Sequence, residues 1–234
     1  MPVVLERKHA RQQAVTLIEL LVAIVITAVV STMVLGIWFA LQRSTDFSEQ
    51  NNSAVSTGRD ALDRVSSELR DAQPSASYTA SPFCLTLSTP YLCDGYDCTF
   101  YTPYNYAQTV AKTAANGLGA SVLTSIYLDT SGTLPEKKLM MVRDLSGDGQ
   151  FGSGDQVITL ATNVVNTATS VNRPVFAYIL DNSGTYSTTN TVTTANASAV
   201  VAVKIEIVVD TNMSAKPTYT DFVSTVRPRN LSGT

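Results

Sequence analysis

From Val15 to Leu41 the chain is apolar, interrupted by one carboxylate, Glu19, and a few Thr, Ser and Gly residues. At about 1.5 Å per residue, a helix over this run reaches about 40 Å, more than the roughly 30 Å core of a bilayer. From Arg43 the surface turns polar, yet Val55, Gly58, Leu62, Val65 and Leu69 recur at spacings of three and four. That is one narrow apolar stripe on a helix. Pro74, following Ala72 and Gln73, ends it. The pattern predicts a single helix from Val15 to Gln73, roughly 59 residues and about 90 Å long. Its first half is apolar all round. Its second half is amphipathic, and the rest of the chain must cover its stripe.

After Pro74 the period changes to that of strands. Phe83–Leu87, Thr99–Tyr101 and Ser121–Leu128 are short β-rich runs, and Lys138–Val142 is placed to pair with Ser121–Leu128 around Asp129–Leu134. Val157–Leu160, Val175–Leu180 and Asp221–Val226 follow. The clearest strand is Val201–Val209, where Val201, Val203, Ile205, Ile207 and Val209 alternate with Ala202, Lys204, Glu206 and Val208. Such alternation predicts an antiparallel sheet with one face on the helix and one face wet. One helix followed by several strands makes the fold class α+β, a β-rich head packed on a long helix. Ser183–Ala199, rich in Ser, Thr and Asn, reads as a long exposed loop. The expected organisation is residues 1–14 as a leader, 15–73 as the helix (15–41 its membrane or fibre-core part), and 74–234 as the head.

Composition narrows the chemistry. The chain has 234 residues, a formal net charge of −3 and only 15% charged residues. That balance argues against a general nucleic-acid surface, which is usually basic. The only histidine, His9, precedes the apolar run. If the first residues are removed, Ser-His-Asp and Cys-His catalysis go with them, as do His-ligated metal sites. No acid–base constellation is visible, and the expectation is a protein that is not an enzyme. Cys84, Cys93 and Cys98 form no CxxC pair and have no neighbouring histidine, which argues against zinc. They suggest one disulfide and one spare thiol in an oxidising compartment. Cys93 and Cys98 flank Asp94-Gly95-Tyr96-Asp97, a hairpin-turn sequence that favours this pair; Cys84–Cys93 is the alternative.

Glu19 is the residue that changes the picture. A carboxylate at bilayer depth costs about 2–3 kcal/mol even on the mildest insertion scale, and intramembrane acids are usually functional. Before the apolar run stands a short basic segment, MPVVLERKHARQQA, which predicts a cytoplasmic N-terminus and a translocated C-terminus. The apolar run is about twice a typical signal-peptide core, and no small-x-small cleavage site follows it.

The basic leader, a small residue, then V-T-L-I-E-L-L and a long apolar helix together resemble the class III signal of type IV pilins and type II secretion pseudopilins. The resemblance implies cleavage by a prepilin peptidase at the Ala14–Val15 bond, followed by methylation of the new N-terminus. Glu19 then falls at the fifth mature position, where the family carries its glutamate. There it implies assembly, the carboxylate meeting the N-terminal ammonium of a neighbouring subunit. Two positions depart from the usual pattern: Ala14 stands where Gly is usual, and Val15 where Phe or Met is common. "ALDRVSSELRDAQP", "VITLATNVVNTA" with "VFAYIL", and "DFVSTVRPRN" resemble the helix end, a mid-domain strand pair and the C-terminal strand of PilW-like minor pilins and J-type minor pseudopilins. The segment from Cys84 to Gly119 resembles nothing of that kind.

Asp144–Asp155, D-L-S-G-D-G-Q-F-G-S-G-D, has oxygen side chains at Asp144, Ser146, Asp148 and Asp155, with Gly149 for the sharp turn and the Gln150 carbonyl at the seventh place. This is the register of an EF-hand-type loop and predicts one structural Ca²⁺. A Gly/Asp-rich turn between two strands is the plainer alternative. Arg227 and Arg229, at the end of the last strand, read as surface or helix-pairing charges more readily than as DNA contacts.

The expected function is that of a minor pilin, a structural and assembly subunit of a type IV pilus that starts assembly or lies near the fibre tip. Its expected partners are other minor pilins, the major pilin, the prepilin peptidase and, before assembly, the inner membrane. From there the head would reach the periplasm or the extracellular fibre. The rivals are a minor pseudopilin of a type II secretion system and a tip adhesin or DNA-uptake subunit.

Overall fold

The computed structural model describes residues 16–74, 81–83, 93–102, 122–134, 137–146, 149–210 and 219–229. The helix α1 runs from Leu17 to Arg70. It is shorter at both ends than the expected Val15–Gln73. Thr16 caps the start, and at the far end the Gln73 amide leaves the helical ladder to donate to Tyr101 O at 2.9 Å. The strands are β1 (Asp97–Thr102), β2 (Val122–Asp129), β3 (Lys138–Arg143), β4 (Gln156–Ala161), β5 (Phe176–Asn182), β6 (Thr185–Thr189), β7 (Val200–Val209) and β8 (Thr220–Val226). The α+β architecture of a long apolar-fronted helix with antiparallel sheets is therefore as expected.

The strands form two four-stranded sheets, one in the order β1-β2-β3-β4 and the other β6-β5-β7-β8. The first is a meander, and its β2–β3 pairing is the one the sequence predicts, with Asp129 opposite Lys138. Of the expected strand Phe83–Leu87, Phe83 makes an isolated bridge to Phe100, and the remainder lies outside the described residues. The Ser183–Ala199 loop is corrected: Ser183 and Gly184, with φ of 56° and 89°, make a tight corner, and β6 folds back on β5 with Asn182 opposite Thr185. A polar, Thr-rich edge strand lacks the hydrophobic alternation by which strands are recognised, while its two-residue corner with positive φ is the geometry that hairpins favour.

The chain divides into two compact units, Met1–Glu49 and Gln50–Thr234. In the first, the apolar side chains from Leu17 to Leu41 are exposed on every side of the helix. By length and composition this helix suffices to cross a membrane, with a mean hydropathy of 2.7 over its best 18-residue window. In the second unit the rest of α1 joins both sheets in one core, where Val65 and Leu69 meet Phe100, Ile126, Tyr178 and Ile205. Val203, Ile205, Ile207 and Val209 are buried, as the alternation of β7 requires.

The buried face of α1 is not the stripe of the largest side chains. Ala54, Gly58, Ala61, Val65, Ser66 and Leu69 are buried, while Val55 and Leu62 are only half-buried. At Gly58 only a glycine fits, because the Phe222 ring of β8 lies directly on the helix there and a Cβ would run into it. On the other flank Glu68 accepts from the buried Arg143 of β3 and from Arg64, the latter at 3.0 Å. A buried guanidinium that lost this carboxylate would cost about 3–5 kcal/mol.

Gly58→Ala tests the seam. In an open helix the change stabilises by about 1 kcal/mol. Here it should instead destabilise by about 1–3 kcal/mol, because the added carbon overpacks against Phe222. Phe222→Leu in the same chain should recover part of the loss, read as a double-mutant cycle in denaturant melts.

Candidate assembly site

The start of α1 is built by its own sequence. The Thr16 amide donates to Glu19 Oε2 at 2.9 Å, and the Thr16 hydroxyl donates to the same oxygen at 3.0 Å. The Glu19 amide returns a longer bond to the Thr16 hydroxyl at 3.4 Å. This reciprocal arrangement is a capping box, which satisfies amides that have no partner in the first turn. The carboxylate also lies at the positive end of the helix dipole. Glu19 thus has a local task in a single chain. Thr16 was not singled out in the sequence, although the T-x-x-E spacing before an apolar run is a legible signal for it. The cleavage residues Ala14 and Val15 lie outside the described residues.

Residues 9–35 match the model of the prokaryotic N-terminal methylation motif. The match covers the end of the leader from His9 to Ala14, then Val15, Glu19 and most of the apolar run. It supports a type IV pilin-like or pseudopilin protein, with the prepilin-type cleavage, assembly with other pilin subunits and membrane anchoring before assembly that such a motif implies. It points to a structural rather than an enzymatic role. Neither a curated protein nor a solved structure matches the chain.

The other residues of interest lie in the head. The candidate calcium loop joins β3 to β4. Asp144, buried, accepts from the Ser146 hydroxyl at 2.9 Å and the Gly149 amide at 2.8 Å. Asp155 accepts from the Leu145 amide at 3.0 Å and the Gly152 amide at 2.6 Å. The two carboxylates tie the loop's ends together through its own donors. Asp148 lies outside the described residues, and among those described no three acidic, Cys or His side chains are grouped to hold a metal. The oxygen chemistry of Asp144, Ser146, Asp155 and the Gln150 carbonyl suits a hard cation, with Asp148 as the third carboxylate.

Cys93 and Cys98 are buried thiols at the start of β1, and Cys84 lies outside the described residues. The turn between them forms as expected: the Asp94 amide donates to Asp97 O at 2.8 Å, and Asp94 Oδ1 accepts from the Tyr96 and Asp97 amides at 2.7 and 3.0 Å. Asp97 is only 8% exposed. Burial, reinforced by the nearby Asp94 carboxylate, pushes its carboxyl up to about 7.

Two residues that the sequence did not reveal hold the head together. Asn166 is fully buried; its amide donates to Glu206 O at 2.8 Å and Arg173 O at 3.2 Å, and its oxygen accepts from the Val208 amide at 2.9 Å. It stands in for a strand where β5 no longer runs beside β7. Arg143, just beyond the expected strand Lys138–Val142, is the buried partner of Glu68. A polar residue in a loop or at a strand end carries no sequence mark of such a role. Arg229 sits near Asp71 at 4.0 Å, and its amide donates to Arg70 O at 3.0 Å, so it meets the helix end.

The raised Asp97 carboxyl has a definite sign. In the unfolded chain it ionises near its ordinary 3.8, and in the folded head near 7. Between those values the folded form binds more protons, so this contribution is complete below about 4 and lost as pH rises through about 7. Melting temperature should therefore fall between pH 5 and pH 8. Asp97→Asn should flatten that fall, and an unchanged slope in the variant would assign the dependence to another group.

Proposed function

We propose that this chain is a minor pilin of a type IV pilus, a structural subunit that starts assembly or lies near the fibre tip with other minor pilins. The observation that carries the reading is the methylation motif at residues 9–35, set on a helix whose apolar side chains from Leu17 to Leu41 are exposed all round. A bare apolar surface of that extent needs a bilayer or a bundle of like helices to cover it. The minor-pilin assignment draws support from the resemblance of the helix end, the mid-domain strands and the last strand to PilW-like subunits. The head would lie outside the cytoplasm, and the N-terminus inside before cleavage.

In this reading Glu19 has two successive partners. Before assembly it caps its own helix through Thr16. In the fibre it would turn to the ammonium of a neighbour's processed N-terminus, where the low dielectric makes an unpaired carboxylate costly. The peptidase would remove residues 1–14 and leave a methylated Val15. Mass spectrometry of membrane-derived protein should show that N-terminus, and an intact leader in a strain with active peptidase would overturn the reading. Glu19→Ala should still insert but lose co-purification with other pilins. Thr16→Val, which removes the hydroxyl's share of the cap and keeps both the backbone amide and the carboxylate, should retain more of the complex.

The Asp144–Asp155 loop would hold one Ca²⁺ as a brace between β3 and β4, through Asp144, Ser146, Asp148, Gln150 and Asp155. Ion binding confined to the folded form raises stability by about 2.7 kcal/mol at a hundredfold excess over Kd. The full chain in detergent should melt higher in millimolar calcium than in chelator, and Asp148→Ala should abolish the difference. Coincident curves for the parent would reduce the loop to a hydrogen-bonded turn.

A further inference from the structure

The turn from Cys93 to Cys98 is where the two sheets are joined. Cys93 O accepts from Val192 N at 2.8 Å, Gly95 O from Val175 N at 2.7 Å and from Phe176 N at 3.0 Å, and Tyr96 O from Leu128 N at 3.0 Å. The Tyr178 hydroxyl donates to Asp97 O at 3.0 Å. Gly95 lies so close to the segment before β5 that a Cβ there would sit 3.1 Å from Pro174. Donors from β2, from β5 and its approach, and from the segment after β6 therefore converge on this short turn.

Cys93 and Cys98 are the residues that flank the Asp94–Asp97 closure, which brings the two chain segments back beside each other. Cys93 Sγ reaches across to the carbonyl oxygen of Thr99, the residue after Cys98, at 3.1 Å. The two cysteines are 2% and 0% exposed.

We propose that Cys93 and Cys98 become a disulfide while the head is still folding, and that the bond fixes the joint between the two sheets. This rests on the extracytoplasmic placement of the head given above. The oxidant is a disulfide, carried either by an oxidised dithiol protein or by a small molecule. One cysteine thiolate attacks it to give a mixed disulfide, and the second cysteine displaces the carrier sulfur. The Sγ–Sγ bond forms, the oxidant's S–S bond breaks, and two electrons and two protons pass to the oxidant as two thiols. Exchange needs a thiolate and access to it. The folded head denies both, since burial drives the Cys98 thiol well up and closes it to reagents. Exchange must therefore precede closure of the core, and Cys84 is left as the remaining thiol.

The test uses the full chain in detergent, first unfolded and reduced. One sample refolds with glutathione disulfide present; a second refolds reduced and then receives the same reagent. Acid quenching, alkylation and peptide mapping identify the bonded pair. The first sample should yield the Cys93–Cys98 peptide, and the second should form it about tenfold more slowly or less, because the buried thiols are out of reach. The oxidised chain should melt higher than the reduced one. A bond from Cys84 to either cysteine, equal rates in the two samples, or identical melting curves would overturn the proposal. Placement of the head is read separately, from leader removal in cells, and involves no thiol.

Discussion

The head depends on the close approach of α1 to its two sheets. Val65 and Leu69 of the helix share one buried cluster with Phe100 and Ile126 of the first sheet and Tyr178 and Ile205 of the second, while a smaller cluster of Val165, Ala168 and Val208 lies apart from it. Close packing is possible because the buried face of the helix carries Ala54, Gly58 and Ala61, and the Phe222 ring rests on Gly58. Larger residues would hold β8 off the helix and open a gap whose lining atoms lose their dispersion contacts. Specificity at this seam then comes from Glu68 and Arg143, which align the helix with β3 through a charge pair that tolerates few other positions.

A second joint supports the first. The Cys93–Cys98 turn and the segment around Asn166 each replace a missing strand with hydrogen bonds directed across the gap between elements. Buried backbone groups must find partners, and where the β5 ladder stops short, Asn166 and the neighbouring Val164 and Val165 supply them to the end of β7. These polar pins serve cohesion. The first turn of α1 is polar in a different way, through the Thr16–Glu19 capping box.

There, one carboxylate has a local task, which it performs within a single chain. The capping box explains why Glu19 is tolerated at the front of an apolar helix: its charge is held by the Thr16 amide and hydroxyl and by the helix dipole. The same carboxylate is reachable from outside, since every residue around it is exposed.

Much of this was determined by the sequence alone. The long helix, the β2–β3 hairpin, the alternation of β7 and the place of Glu19 follow from local periodicity and spacing, which act within a few residues and need no tertiary context. The apolar run and its leader were legible for the same reason. Tertiary structure decided the rest. It buried Ala54 and Ala61 beside Gly58, Val65 and Leu69, and left Val55 and Leu62 half-buried, with Leu62 packed at the edge of the core. It also folded a Thr-rich tract into β6 and gave Asn166 and Arg143 their buried partners. Those outcomes depend on residues far apart in the chain, and a pattern read along the chain carries no term for them.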